Sequence, residues 1–205
     1  MRKLFIILVA LVSFSVNAQN DKAYVDGLVA EFTQSLNERA IDNYFYNTRY
    51  CLGNIQIFDL GNGKRCMSKD TYYEVYVFWK EDNVSMIKKI DNCGLYFPEA
   101  LPENDIVKFY KSSTEQLREK VKNYETVEQP TGPVQRTAIH NCYREFEFVS
   151  GSENFGQKYN EFDLTNDSQN ANINFSHNNS LVVVSLDSQI DSIIKKTANK
   201  LKRQP

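Results

Sequence analysis

Thr71-Tyr72-Tyr73-Glu74-Val75-Tyr76-Val77-Phe78-Trp79-Lys80 decides the fold class of this 205-residue chain. The run is rich in β-branched and aromatic residues, which fit a pleated, packed surface. Successive strand side chains point to opposite faces, so Tyr73, Val75, Val77 and Trp79 line one face, and Tyr72, Glu74, Tyr76 and Phe78 the other. Both faces are largely apolar, as expected of a central strand covered on both sides.

Residues 55–60 and 84–90 have the same character and are set off by Gly61-Asn62-Gly63 and Glu81-Asp82-Asn83. The three runs predict an antiparallel meander. Before it, Tyr24, Val25, Leu28, Val29, Phe32 and Leu36 recur every three or four residues, which predicts an amphipathic helix capped by Asn20 or Asp21 and laid on the sheet. Residues 41–50 hold Tyr44, Phe45, Tyr46 and Tyr50 among Asp42, Asn43, Asn47 and Arg49 with neither period clear, and read as an ordered loop. Residues 104–124 predict one broken helix or two, and residues 126–136, with Pro130, Gly132 and Pro133, a connector. Strands are expected again at 138–149, 158–164, 172–177 and 181–186. A final helix follows, starting at Asp187 or Ser188 and marked by Ile190, Ile193, Ile194, Ala198 and Leu201. Segregated strands and helices of this kind imply an α+β fold with a mostly antiparallel sheet, in one domain over residues 19–205. Tyr73, Tyr76 and Phe78 recur as Tyr143, Phe146 and Phe148 at an offset of 70, the weak signature of two similar halves over 55–124 and 137–203.

The chain opens with Met1, Arg2 and Lys3, an apolar run over 4–12 and a Val16-Asn17-Ala18 exit. These are the parts of a secretory signal peptide over residues 1–18, and their form resembles a bacterial leader. The run is too short to span a bilayer, so no transmembrane span is expected after cleavage, and the mature chain is placed outside the cell or in the periplasm. Cys51, Cys66, Cys93 and Cys142 are an even set in an exported chain and predict two disulfides. Short loops favour Cys51 with Cys66 and Cys93 with Cys142, although a hairpin turn at 61–63 lies at unequal distances from Cys51 and Cys66.

Without Arg2 and Lys3, 22 basic residues face 26 acidic ones with the signs interspersed, which does not favour a nucleic-acid partner. The basic cluster Lys195, Lys196, Lys200, Lys202 and Arg203 reads as a solvated helix face, with an anionic surface as the other use. Cofactor and metal motifs are missing: there is no P-loop, Gly-x-Gly-x-x-Gly, Gly-x-Ser-x-Gly, His-Glu-x-x-His or Cys-x-x-Cys. His140 and His177 are the only histidines; His140 with Cys142 and Glu145 makes a weak nucleophile reading against the disulfide, and His177 is expected as a strand-edge residue. The oxygen-rich segment 163–174 fails the calcium-loop pattern and reads as a solvated loop. What remains is aromatic surface. Tyr44, Tyr46 and Tyr50, between polar residues, are the candidate binding residues for a protein or glycan partner, which makes a non-catalytic binding protein the leading expectation. A hydrolase using paired Asp and Glu side chains is the alternative, and enzymatic activity stays open.

Overall fold

The computed structural model describes residues 20–102, 105–128, 132–139 and 141–205. The expected leader, Gln19 and His140 lie outside the described residues. The fold is α+β with a mostly antiparallel sheet.

Helix α1 (Lys22–Glu38) starts where Asp21 accepts a hydrogen bond from the Tyr24 amide at 3.1 Å, satisfying one of the donors a helix start leaves free. It leads into strand β1 (Asn43–Cys51), the hairpin β2 (Ile57–Gly61) and β3 (Lys64–Met67), and the long strands β4 (Tyr73–Glu81) and β5 (Val84–Asp91). Short strands β6 (Gly94–Leu95) and β7 (Glu99–Leu101) follow, then helix α2 (Ile106–Ser112) and a 3-10 turn at Gln116–Arg118. A second small hairpin, β8 (Glu125–Glu128) and β9 (Gly132–Gln135), precedes β10 (Cys142–Ser150) and β11 (Glu153–Asn160). A 3-10 turn (Glu161–Leu164) and helices α3 (Phe175–Ser180) and α4 (Val182–Thr197) complete the described elements.

The main sheet runs β11-β10-β1-β4-β5-β6, with β7 also paired to β5. One face carries α1, whose Val25, Val29 and Leu36 pack with Val75, Val77, Trp79 and Ile90; Phe32 meets the Trp79 ring edge-on at 5.3 Å. On the other face Leu186, Ile190 and Ile193 of α4 and Ile106, Val107 and Tyr110 of α2 pack on Phe45, Phe78, Phe146 and Phe148. Strand β4 is therefore central and doubly covered, for the reason its two apolar faces gave.

Several expectations need correction. Residues 41–50 are not a loop: β1 is a central strand flanked by β10 and β4. Its alternation is hidden because one face carries the buried polar residues Asn47 and Arg49 beside Phe45. The Arg49 guanidinium donates to Asp187 at 2.5 Å and to Asp191, and its Nε to Asn47 Oδ1 at 2.6 Å, so the charge is buried with partners rather than left in solvent. Residues 172–177 and 181–186 are not strands. The Val182-Val183-Val184 run opens α4 because Leu181, Val183, Leu186, Ile190 and Ile193 are buried together in the core, and packing overrides a weak β propensity. His177 accordingly sits in α3, not at a strand edge.

The disulfides are Cys51–Cys142 and Cys66–Cys93, not the short-loop pairing. Cys51 and Cys142 are direct partners in the β1–β10 register, so sheet pairing and not loop length selects them. Closure entropy grows only with the logarithm of loop length, so a 91-residue separation is a weak obstacle.

The offset-70 echo has a packing counterpart. Strands β4 and β10 flank β1 in matching register: Tyr73 and Tyr143 both face Tyr50, and Phe78 and Phe148 both face Phe45. The expected connector 126–136 contains the β8–β9 hairpin, and the basic C-terminal cluster splits. Lys195, Lys196, Lys200 and Lys202 are exposed, whereas Arg203 turns inward and grips Asp91 at 2.6 and 2.8 Å.

Candidate functional site

Helix α1 packs mainly over β4, β5 and β6, and among the described residues the same sheet face carries half-buried and exposed side chains over β10 and β11. The register places Tyr44, Tyr46, Thr48 and Tyr50 of β1, Tyr143, Glu145, Glu147 and Val149 of β10, and Gly156 and Lys158 of β11 on this face. Tyr44 lies at the covered side, 6% exposed and packed with the α1 cluster. Tyr46, Tyr143, Glu145 and Glu147 are half-buried, and Gly156 and Lys158 are exposed.

Tyr50 is the centre of this layer. Only 7% exposed, its ring lies between Tyr73, at 4.8 Å, and Tyr143, at 5.3 Å. Its hydroxyl donates to Glu145 Oε1 at 2.7 Å, while Lys158 Nζ donates to the same Tyr50 oxygen at 2.9 Å and to Glu145 Oε1 at 2.6 Å. The ammonium also stands 4.8 Å from the centre of the Tyr143 ring. Burial pushes the Tyr50 hydroxyl pKa up to about 12, with Lys158 opposing and Glu145 adding to the shift, so the group is a neutral donor. Burial also raises Tyr46, to about 12, with the Glu147 charge adding to it.

The two carboxylates differ. Burial tends to raise Glu145, but the hydrogen bonds from Lys158 and Tyr50 outweigh it and hold the carboxyl below its ordinary pKa. Glu147 is raised, by burial first and by the Glu145 charge second. It has no hydrogen-bond or ion-pair partner among the described residues. Its carboxylate lies across Gly156, where a Cβ would stand 2.7 Å from Oε1, so the glycine makes the room. A hollow of about 340 Å³ opens here, lined by Lys120, Glu145, Glu147, Gly156, Gln157 and Lys158.

Of the sequence candidates, the structure brings Tyr46 and Tyr50 to this face beside the two glutamates and places Tyr44 under the helix. Cys51, Cys142, Cys66 and Cys93 are all bonded, which removes the cysteine-nucleophile reading. Sequence reasoning missed Tyr143, Glu147 and Lys158. Their signal was present: Tyr143-x-Glu145-x-Glu147 alternates with Arg144-x-Phe146-x-Phe148, the pattern of a strand with one packed face and one wet one.

Beyond Tyr143 the face runs into a cleft between residues 135–137 and the turn after β11. The oxygen-rich segment beside it is not simply solvated. Asn172 and Asn178 are buried, their amides donating to the carbonyls of Asp163, Thr165 and Lys122 at 2.8–3.2 Å, which pins the loops together. Among the described residues no group of three or more His, Cys, Asp or Glu side chains is arranged to hold a metal ion.

No family model matches this chain, and no curated protein or solved structure matches it.

Proposed function

We propose that this chain is an exported, non-catalytic binding protein that takes a protein or glycan partner on the open half of the sheet face, through Tyr46 and the Tyr50-Tyr143 layer. One observation carries the reading: α1 packs mainly over β4, β5 and β6, and among the described residues the β10–β11 part of the face holds prearranged rings and polar groups instead of an apolar surface awaiting cover. Aromatic rings with hydroxyl tips provide contact area that orders at little entropic cost, and fixed carboxylate and ammonium groups add direction. The leader-like N-terminus and the two disulfides support a secreted or periplasmic location, since such bonds persist in oxidising compartments. Among the described residues no helix is long and apolar enough to cross a membrane.

Co-purification from the native host tests this reading. The parent chain is expected to retain a partner that Tyr46→Ala combined with Glu147→Gln loses, with the melting temperature within a few degrees of the parent. Equal retention by both would remove the face from consideration.

A hydrolase reading draws on Glu145 and Glu147, two carboxylates on one strand face whose surroundings separate their acidities as an acid and a base require. It needs a substrate to reach both groups. Turnover of any polysaccharide or ester substrate that Glu147→Gln abolishes would favour it over simple binding.

A further inference from the structure

We propose that the cleft at the end of the open face is a saccharide subsite for an uncharged, hydroxyl-rich glycan; this rests on the binding reading above and locates one of its contacts. The cleft has two lobes. One, of about 240 Å³, lies against the ends of β10 and β11 and is lined by Asn123, Gln135, Tyr143 and Asn160. The other, of about 500 Å³, is lined by Tyr124, Asn166, Asp167 and Asn170. Arg136, Thr137 and Phe162 line both, so the lobes are neighbours.

The lining matches the two kinds of surface a sugar offers. A pyranose ring presents a face of C–H groups, which packs on an aromatic face. Phe162, whose half-buried ring lines both lobes, is stacked on Tyr124, with centroids 4.5 Å apart and planes 16° from parallel. Tyr143 also lines the smaller lobe; Tyr50 stacks on its ring, and the Lys158 ammonium stands 4.8 Å from the ring centre. Each sugar hydroxyl both donates and accepts, and a side-chain amide does the same through its NH₂ and carbonyl oxygen. Asn123, Gln135 and Asn170 are exposed, and their side-chain amides have no partner among the described residues.

The backbone that carries these groups is held before any ligand arrives. The Tyr124 hydroxyl donates to the Asn170 carbonyl at 2.5 Å, Asn160 donates to Asn141 Oδ1 at 2.7 Å, and the buried Asn172 and Asn178 clamp the backbone beneath. Prearranged hydrogen-bonding groups lower the ordering cost of binding. The charges argue against an anionic ligand: the lining carries the carboxyls of Asp163 and Asp167 as well as Arg136 and Lys158, and Lys158 is already engaged by Glu145. A peptide side chain would call for an apolar hollow, and amides and hydroxyls line most of this one.

An array of uncharged oligosaccharides, comprising β-glucan, mannan, xylan and chitin fragments, with sulfated and phosphorylated glycans as the charged arm, tests the inference on the full chain. At least one uncharged family is expected to bind, followed by calorimetry. Asn123→Ala with Gln135→Ala, both at exposed positions, should weaken that binding at least tenfold with an unchanged melting temperature. Phe162→Leu, which keeps an apolar group against Tyr124, should weaken it by a similar factor. Binding confined to the charged arm, no binding to any member at millimolar concentration, or binding indifferent to both variants would overturn the subsite. If the array fails while Tyr46 variants still lose a partner, the subsite falls and the binding face stands. Glycan cleavage would keep the subsite and overturn the non-catalytic reading.

Discussion

Glu145 and Glu147 project from the same face of β10, two residues apart, yet among the described residues only Glu145 has a cation, the Lys158 ammonium at 2.6 Å. Their acidities therefore move in opposite directions. The raised Glu147 carboxyl makes the fold disfavour its charged form, so its contribution to stability is most favourable below its unfolded pKa and declines as pH rises through the higher folded value. Glu147→Gln should stabilise the protein at pH 7, by less than about 1 kcal/mol for a half-exposed group, with the difference vanishing near pH 3. Denaturant titration at the two pH values measures it; a less stable variant at pH 7 would mean that Glu147 has a cationic partner.

For Glu145 the sign is reversed. Its depressed pKa contributes stability that is present above the unfolded value and lost as pH falls through the folded one. Lys158→Met removes the ammonium that supports this shift, so the Glu145 carboxyl resonance should titrate at higher pH in the variant. An unmoved titration would show that the Tyr50 hydroxyl alone holds the charge.

Tyr44 and Tyr46, two residues apart on one face of β1, should respond differently to truncation. Tyr44 packs under α1 and Tyr46 stands at its margin. Tyr44→Ala should cost about 3 to 5 kcal/mol, in the range of large aromatic truncations in cores, and Tyr46→Ala clearly less. Equal losses in chemical denaturation would place both rings in the core.

The disulfide pairing is read directly from a non-reducing digest, which should yield Cys51 linked to Cys142 and Cys66 linked to Cys93. In the chain-entropy model the longer loop makes removal of Cys51–Cys142 the costlier change, by about 1 kcal/mol. A peptide joining Cys51 to Cys66 would contradict the β1–β10 register itself.

Asp187 on α4 accepts hydrogen bonds from Arg49 at 2.5 Å and from Tyr159 at 2.8 Å, and lies 3.3 Å from Arg144 Nε. Removing one member of such a buried set strands the others, so Asp187→Ala should destabilise by about 3 to 5 kcal/mol. A change under about 1 kcal/mol in the unfolding free energy would show that Asp191, paired with Arg49, and Glu161, paired with Arg144, suffice.

What could be read from the sequence followed from whether a segment has one packed face or two. Helix α1 buries a single stripe, so its period was plain, and Asp21 was one of the two cap candidates. Strand β4 carries apolar residues on both faces and declared itself central. Strand β1 was hidden because its partners for Asn47 and Arg49 come from distant elements, Glu145 on β10 and Asp187 and Asp191 on α4, and without them the residues look solvated. The Val182-Val183-Val184 start of α4 misled for the converse reason: local propensity favoured a strand and only the core it joins makes it a helix. Tyr46 and Tyr50 were legible as candidates, whereas their neighbours Glu147 and Lys158 reach the same face only through the pairing of three strands.

Photo-crosslinking in the native host tests the binding face most directly. With a photoreactive benzoyl-phenylalanine in place of Tyr46, irradiation is expected to trap a discrete partner that the same group in place of Lys196, exposed on α4, does not trap. Equal trapping at both positions, or trapping at Lys196 alone, would contradict the assignment of the open half of the sheet as the partner-binding surface.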